Sequence, residues 1–277
     1  MSDAPGHSCV WAPLASGRDL RIEITAERQG VVDRSGTVDR SIAVDSNAGD
    51  SIETDIDAAW DRIRAANPRA FNGPILAYTA SDPAHNLVRC TREEYKRLAV
   101  TPEVETGVIH LGVTGVLEAR DESGVPHVLL GLRSHATRIF GGMWELGPSG
   151  GVDPPPIDQG TMDADDVWRV LINEIREEVG LPVDPDPSPP LGLLHDPEGR
   201  SCELVVRVAL RRPVEELIAL IDRENRTSRW EYDAVRWVAL ADLPAFVRRE
   251  PVIPTTIALA GVLWAPRHGD DHRSSRM

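Results

Sequence analysis

The stretch NEIREEVGL, residues 173–181, decides how this chain is read. It crowds Glu174, Glu177 and Glu178 together and then stops at Gly180. Like charges at helical spacing repel, so either water solvates them or a positive partner sits among them. With Glu174 placed at 0° on a wheel of about 100° per residue, Glu178 falls at about 40° and Glu177 at about 300°. The three then share an arc of roughly 100°. Trp168, Leu171, Ile172, Ile175 and Val179 fall between roughly 60° and 160°, a separate apolar stripe. One face of the helix can therefore pack on a sheet while the adjoining face presents carboxylates. Three hard oxygen donors in one arc suit Mg²⁺ or Mn²⁺. On its own EIREE reads as a solvated helix face. Two features argue against that: the acidic pair sits in the last turn, where the helix dipole disfavours anions, and the glycine loop in WELGPSGGVD (144–153) leads toward the helix.

Around this stretch the periodicities predict an α/β chain. The segment DADDVWRVLINEIREEVG (163–180) is the strongest helix, with aspartates in its first turn and Gly180 as its stop. Strands are expected at 106–119 and 125–134, joined as a hairpin through DESG, and at 191–196, 202–210 and 234–240. Helices are expected at 214–225 and 253–264. Glycine and proline forbid regular structure through much of GGMWELGPSGGVDPPP (141–156). Before about residue 104 the chain reads as a smaller α+β region. It has a strand pair in 18–32, a loop at 46–55 and a helix in 55–71 ending before Pro68. A strand follows at 72–81, then a short helix at 91–100 with Thr91 as N-cap and Glu94 three positions on. Residues 266–277 read as a disordered tail.

Composition narrows the function classes. The 277 residues carry 44 acidic and 30 basic side chains, a formal charge of −14. Such a surface repels a phosphate backbone and an anionic membrane, so no nucleic acid and no membrane is expected as partner. A small phosphorylated ligand is still accommodated if bound cations reverse the local sign. No apolar run is long enough to cross a bilayer, and the first twenty residues lack the pattern of a secretory signal. Cys9, Cys90 and Cys202 are odd in number and widely spaced, which fits a reducing cytoplasm and no disulfide framework. The pair His268 and His272 lies in the polar tail, so a histidine-rich metal site has little support.

The glycine-rich WEL…GG loop, followed by a helix ending Glu174, Ile175, Glu177, Glu178, Gly180, Leu181, resembles the signature of the Nudix hydrolases, G-x₅-E-x₇-R-E-U-x-E-E-x-G-U with U aliphatic. Gly150 or Gly151 fits its start if an insertion is allowed, and Asp165 falls at the register of the first glutamate. Asn173 stands where the signature has arginine, and the loop is lengthened by DPPPIDQGTMD (153–163). A lengthened loop and an amide at that position also mark the UDP-glucose- and UDP-galactose-hydrolysing branch. That branch is further resembled by AAW…ANPRAFNGP (58–74) and RCTREEYKRL (89–98).

The resemblance covers roughly residues 105–265 and implies a Nudix-type α/β/α sandwich with a mixed sheet. Residues 1–104 would be a lid, a dimer contact or a core extension, and a homodimer is compatible with it. It further implies a Mg²⁺- or Mn²⁺-dependent pyrophosphohydrolase that cuts a nucleoside diphosphate sugar into nucleoside monophosphate and sugar 1-phosphate. Glu174 and Glu178 are the expected metal ligands, with Glu177 a further ligand and catalytic carboxylate, and a backbone carbonyl from around Ser149 or Gly150. Glu231 is the leading candidate for the base; Glu203 is the second, though it reads better as a solvated strand-end residue. Arg133 and Arg138 are candidates for substrate phosphates beside Gly150 and Gly151. Trp60, Trp144 and Trp230 read as core, and His110 and His127 as core or strand-edge residues. Two alternatives stay open: the same chemistry on ADP-ribose, a dinucleotide polyphosphate or a biosynthetic intermediate, and a catalytically silent nucleotide-binding domain, which Asn173 would suit.

Overall fold

A computed structural model describes residues 9–25, 46–182, 186–224 and 231–264. Along these residues run β1 (Val10–Pro13), β2 (Arg21–Thr25), α1 (Ser46–Ala66), β3 (Pro74–Asp82), β4 (Leu87–Glu94) and α2 (Tyr95–Ala99). Next come β5 (His110–Arg120), β6 (Pro126–Arg133), β7 (Trp144–Leu146), β8 (Ser149–Gly151), β9 (Thr161–Asp163) and α3 (Ala164–Glu174), which continues as a π turn, Ile175–Val179. The rest are β10 (Pro190–Asp196), β11 (Ser201–Ala209), α4 (Val214–Glu224), β12 (Tyr232–Ala239), α5 (Leu243–Arg249) and α6 (Pro254–Trp264). The α/β class with a mixed sheet is as the sequence predicts. The chain divides into two compact units, one of residues 1–115, 149–174 and 187–207, the other of 116–148, 175–186 and 208–277.

In the first unit the strand order is β1-β10-β11-β5-β3-β4-β2-β9, with β8 also on β5. β2 runs parallel to β4, while β3 and β4 are antiparallel. Strands from before residue 104 thus share a sheet with β10 and β11. Helix α1 buries Ile56, Ala59 and Trp60 against Ala99 and Val100, and Trp60 meets Tyr95 edge-on at 6.2 Å. Burial of a side chain such as that of Ile56 contributes on the order of 1.5–3 kcal/mol.

In the second unit β6 is central, pairing antiparallel with β12, with β7 and with the end of β5. The hairpin turn between β5 and β6 is built by Asp121, whose Oδ1 accepts hydrogen bonds from the Ser123 and Val125 N–H groups. Helices α5 and α6 pack on each other, and α6 covers β7. There Trp144 stacks edge-on with Phe246 at 5.6 Å under the Arg236 guanidinium.

Several expectations need correction. Residues 46–55 belong to α1, because Ile56 and Trp60 anchor the helix from its far end and the polar stretch before them follows. Thr91 caps nothing: β4 runs on to Glu94, since pairing with β3 takes its backbone groups, and only 95–99 is helical. The stretch 141–156 is irregular for most of its length, as expected, with β7 and β8 as three-residue strands where β6 and β5 supply partners. Of the strand pair in 18–32 the first half is β2; the rest lies outside the described residues, as do Trp230, the tail and its histidines. Helix α5, β1 and β9 were not signalled by periodicity; the two strands are only 4 and 3 residues long.

Candidate functional site

Helix α3 starts on a reciprocal cap. Asp163 Oδ1 accepts hydrogen bonds from the Asp165 and Asp166 N–H groups at 3.0 and 3.1 Å, and Asp166 Oδ2 accepts from the Asp163 N–H at 3.0 Å. This is the capping-box arrangement with aspartates in both places. Asp165 is exposed in this first turn. Farther along, Val167, Trp168, Leu171 and Ile172 are buried, the apolar stripe read from the sequence.

In the first unit α3 packs on β8. A Cβ added to Gly150 would lie 2.3 Å from the Glu174 carboxyl, so that carboxyl occupies the place of the missing side chain. The glycine loop and the first glutamate of the 174–178 group are therefore in contact. Gly150 faces Val113 across the strand pair, while Gly112 faces Gly151. Opposed residues share a face and successive residues alternate. Gly112 and Gly151 consequently lie on the face opposite to Gly150, and there Glu203 covers Gly112 and His110 covers Gly151. Thr114 Oγ1 donates to Glu203 Oε2 at 3.5 Å. Glu203 is thus a half-buried side chain lying across the sheet, not the solvated strand-end residue the sequence suggested.

In the second unit the π turn replaces the α-helical last turn that the wheel assumed. Its i→i+5 bonds wind more slowly, so the angles drawn for Glu177 and Glu178 do not hold. The turn ends at Gly180, φ 70°, whose N–H donates to the Arg176 carbonyl; the Leu181 N–H donates to the Ile175 carbonyl. Gly180 is the stop the sequence predicts. Within the turn Glu177 is exposed and Glu178 is 6% exposed.

The same unit holds a buried polar group that the sequence reading did not assign. Arg133 Nη1 donates to Glu145 Oε1 at 2.7 Å, and the Tyr232 hydroxyl donates to that same oxygen at 2.8 Å. Arg133 pairs with Tyr232 across β6 and β12, and Gly131 pairs with Glu145 across β6 and β7. A Cβ on Gly131 would stand 2.4 Å from the Tyr232 ring, so this glycine makes room for the tyrosine. Burial raises the Glu145 pKa, against the pull of Arg133 and the tyrosine hydroxyl. Burial also pushes Tyr232 well above its ordinary value, helped by the charges of Glu145 and Glu178. For Arg133 burial works against the charge, but Glu145, Tyr232 and Glu178 outweigh it and the pKa rises. Glu231 lies near enough to oppose ionisation of Glu145. Arg133 is therefore engaged with Glu145, whereas Arg138 is exposed. Glu145 was legible only as part of WEL, and Tyr232 carried no signal at all.

Among the described residues no three His, Cys, Asp or Glu side chains are gathered as a metal-holding group. Mg²⁺ does not require such a cage; one or two carboxylates with waters and substrate phosphates suffice. The Glu174 carboxyl on the Gly150 backbone offers hard oxygen donors of the right kind, so the residues fit a divalent ion in donor chemistry.

No family model matches the chain and no curated protein matches it. Solved structures do. The Nudix domain of Shewanella oneidensis NrtR complexed with ADP ribose is 19% identical, covering 57% of this chain and 88% of its own, with a TM-score of 0.38. A Nudix hydrolase from Alicyclobacillus acidocaldarius is 18% identical, covering 56% and 90%, with a TM-score of 0.39. The MutT protein from Methanosarcina mazei is 21% identical, covering 56% and 91%, with a TM-score of 0.37. Likeness at this level leaves activity and substrate to be argued from this chain's own residues. Among the described residues no helix is long and apolar enough to cross a membrane.

Proposed function

We propose that this chain is a divalent-metal-dependent pyrophosphohydrolase of the Nudix type, cutting a nucleoside diphosphate sugar such as UDP-glucose into nucleoside monophosphate and sugar 1-phosphate. The observation that carries the reading is the contact between the Glu174 carboxyl and Gly150. It brings the glycine loop and the first glutamate of the acidic group together within one unit. In this reading Glu174 and Glu178 hold Mg²⁺ or Mn²⁺, with Glu177 as a further ligand and a carbonyl from Ser149 or Gly150. A bound divalent ion supplies charge neutralisation and polarisation at the diphosphate.

Water attacks one phosphorus, its oxygen forms the new P–O bond, and the bridging P–O bond breaks toward the other phosphate. Glu231 takes the proton of the attacking water, and Arg138 and the backbone at Gly150 and Gly151 face the phosphates. The resemblance spans 105–265, with residues 1–104 an extension of it.

Purified protein incubated with UDP-glucose, ADP-ribose and a dinucleotide polyphosphate, with Mg²⁺ and then with chelator, tests this. Turnover of UDP-glucose that stops with chelator is expected. Turnover confined to ADP-ribose rejects the sugar-nucleotide substrate, and metal-dependent turnover of none of the three favours a silent nucleotide-binding domain.

A further inference from the structure

Residues 153–160, the lengthened stretch between β8 and β9, form a strap within the first unit. Its near end is fixed where the buried Val152 donates its N–H to the Leu111 carbonyl at 3.0 Å. Its far end is fixed where the Ile24 N–H donates to the Gly160 carbonyl at 2.8 Å, just before β9 joins β2. Between these points the Gln159 N–H donates to the Pro156 carbonyl at 2.9 Å, closing a turn with Ile157 and Asp158 at its corners. Arg92, on β4, ties down both ends of that turn. Its Nη2 donates to the Pro156 carbonyl at 2.8 Å and to the Gln159 carbonyl at 3.3 Å. Ile157 is left 92% exposed at the corner.

Strand register places Arg92 on the face that holds Glu174. Ala77 pairs with His110, so it lies on the face of His110 and Gly112. Leu76 then lies on the other face, with Leu111, Val113 and Gly150, and Arg92 pairs with Leu76. The Ile109 and Leu111 carbonyls point to the same edge of β5, where they accept from the Tyr78 and Val152 N–H groups. Strands β3 and β8 therefore follow each other along one edge of β5. At about 3.4 Å per residue and about 4.8 Å between strands, the Arg92 Cα stands roughly 10 Å from that of Gly150. The strap thus starts at the glycine loop and is pinned on the sheet face where the Glu174 carboxyl lies.

From this geometry we infer that Arg92 is a positioning residue for substrate binding. It pins the 156–159 turn so that the strap walls one side of the site at Gly150 and Glu174. There the strap touches the part of a nucleoside diphosphate substrate that lies beyond the diphosphate. The inference rests on the reading of that site as a pyrophosphohydrolase centre. A turn already fixed meets its ligand without being ordered anew, whereas a released strap is competent only part of the time.

The test compares Arg92→Met with Arg92→Lys in the full-length protein, on whichever of UDP-glucose, ADP-ribose and a dinucleotide polyphosphate the parent hydrolyses. Methionine keeps an unbranched stem and removes both hydrogen bonds. A lysine ammonium can restore them, because both come from one nitrogen and it carries three donors. In Arg92→Met, KM is expected to rise about 10-fold with kcat within about 2-fold, the pattern of lost ground-state binding. Amide exchange at Gln159 is expected to quicken, and Mn²⁺ affinity of the free protein, followed by electron paramagnetic resonance, to stay at the parent value. Arg92→Lys is expected to recover both the slow exchange and the low KM.

An unchanged KM in Arg92→Met overturns the inference and leaves the metal reading standing. So does a matched fall in kcat and Mn²⁺ affinity, which would mean damage to the metal site, and so does a lysine variant that regains slow exchange at Gln159 without regaining KM. Metal-dependent turnover of none of the three substrates by the parent overturns the pyrophosphohydrolase reading, and the inference with it.

Discussion

The carboxyl of Glu174 fills the space that a side chain on residue 150 would need, 2.3 Å from where its Cβ would stand. Gly150 is thus the seat of a carboxylate and not merely a loop residue. Gly150→Ala would push the flexible end of Glu174 away at little stability cost, under about 1 kcal/mol, since the carboxyl can move. Metal-dependent turnover is expected to fall by about 10–100-fold, the usual effect of misplacing a metal ligand. On the other face, Gly112→Ala displaces the Glu203 carboxyl and leaves turnover closer to the parent protein. Steady-state kinetics and a thermal melt on both variants check this; equal losses in the two would remove the special standing of Gly150.

The register of β5 and β8 counts against one of the two proposed bases. Glu203 lies over Gly112, on the face opposite to the one where Glu174 lies over Gly150. A base must reach the attacking water within hydrogen-bond distance, so a carboxylate across the sheet from Glu174 is poorly placed. Glu203→Gln is expected to keep kcat within about 3-fold, whereas Glu231→Gln loses about 10²-fold or more, the range of general base catalysis. The reverse order in single-turnover rates would sink the assignment of Glu231.

Part of this architecture could be read in advance. The 163–180 helix, the β5–β6 hairpin and the stop at Gly180 follow from local periodicity and turn chemistry, and the structure has them. Residues 46–55 and 91–94 misled because their fate depends on distant partners: Trp60 and Val100 for the helix, β3 for the strand. The grouping of Arg133, Glu145 and Tyr232 unites residues about 12 and 87 positions apart through strand register, which no window of sequence contains. The π turn was hidden as well, since the apolar spacing through Val179 reads as α-helical until the turn closes on Gly180.

Gly131 sits beneath Tyr232, whose ring approaches to 2.4 Å of an added Cβ. Here the obstacle is a buried ring, not a mobile carboxyl, and Tyr232 is 4% exposed with its hydroxyl committed to Glu145. Gly131→Ala is therefore expected to destabilise by about 1–3 kcal/mol through overpacking. That lowers the melting temperature by about 2–4 °C per kcal/mol for a chain of roughly this size. A melt unchanged from the parent would show that Tyr232 yields freely.

The three thiols give a prediction for alkaline pH. Burial raises the Cys90 thiol to about 12 and pushes Cys202 higher still, helped by Glu203. Cys9 is raised to about 12, by burial and then by Asp196. An unfolded thiol ionises near about 8.5. Above that pH the unfolded chain therefore holds fewer protons than the folded one, and stability falls as pH rises. The loss is at most about 1.4 kcal/mol per pH unit for each fully buried thiol, and it vanishes below about pH 8. Urea midpoints at pH 7 and pH 10 should differ less for a Cys90→Ala, Cys202→Ala double variant than for the parent, whatever the variant loses at pH 7. In the folded protein at pH 8 all three thiols should react slowly with an aromatic disulfide reagent and be released together on denaturation. Rapid reaction of Cys90 or Cys202 at that pH would show that their burial, 0% and 1% exposed, does not keep them protonated.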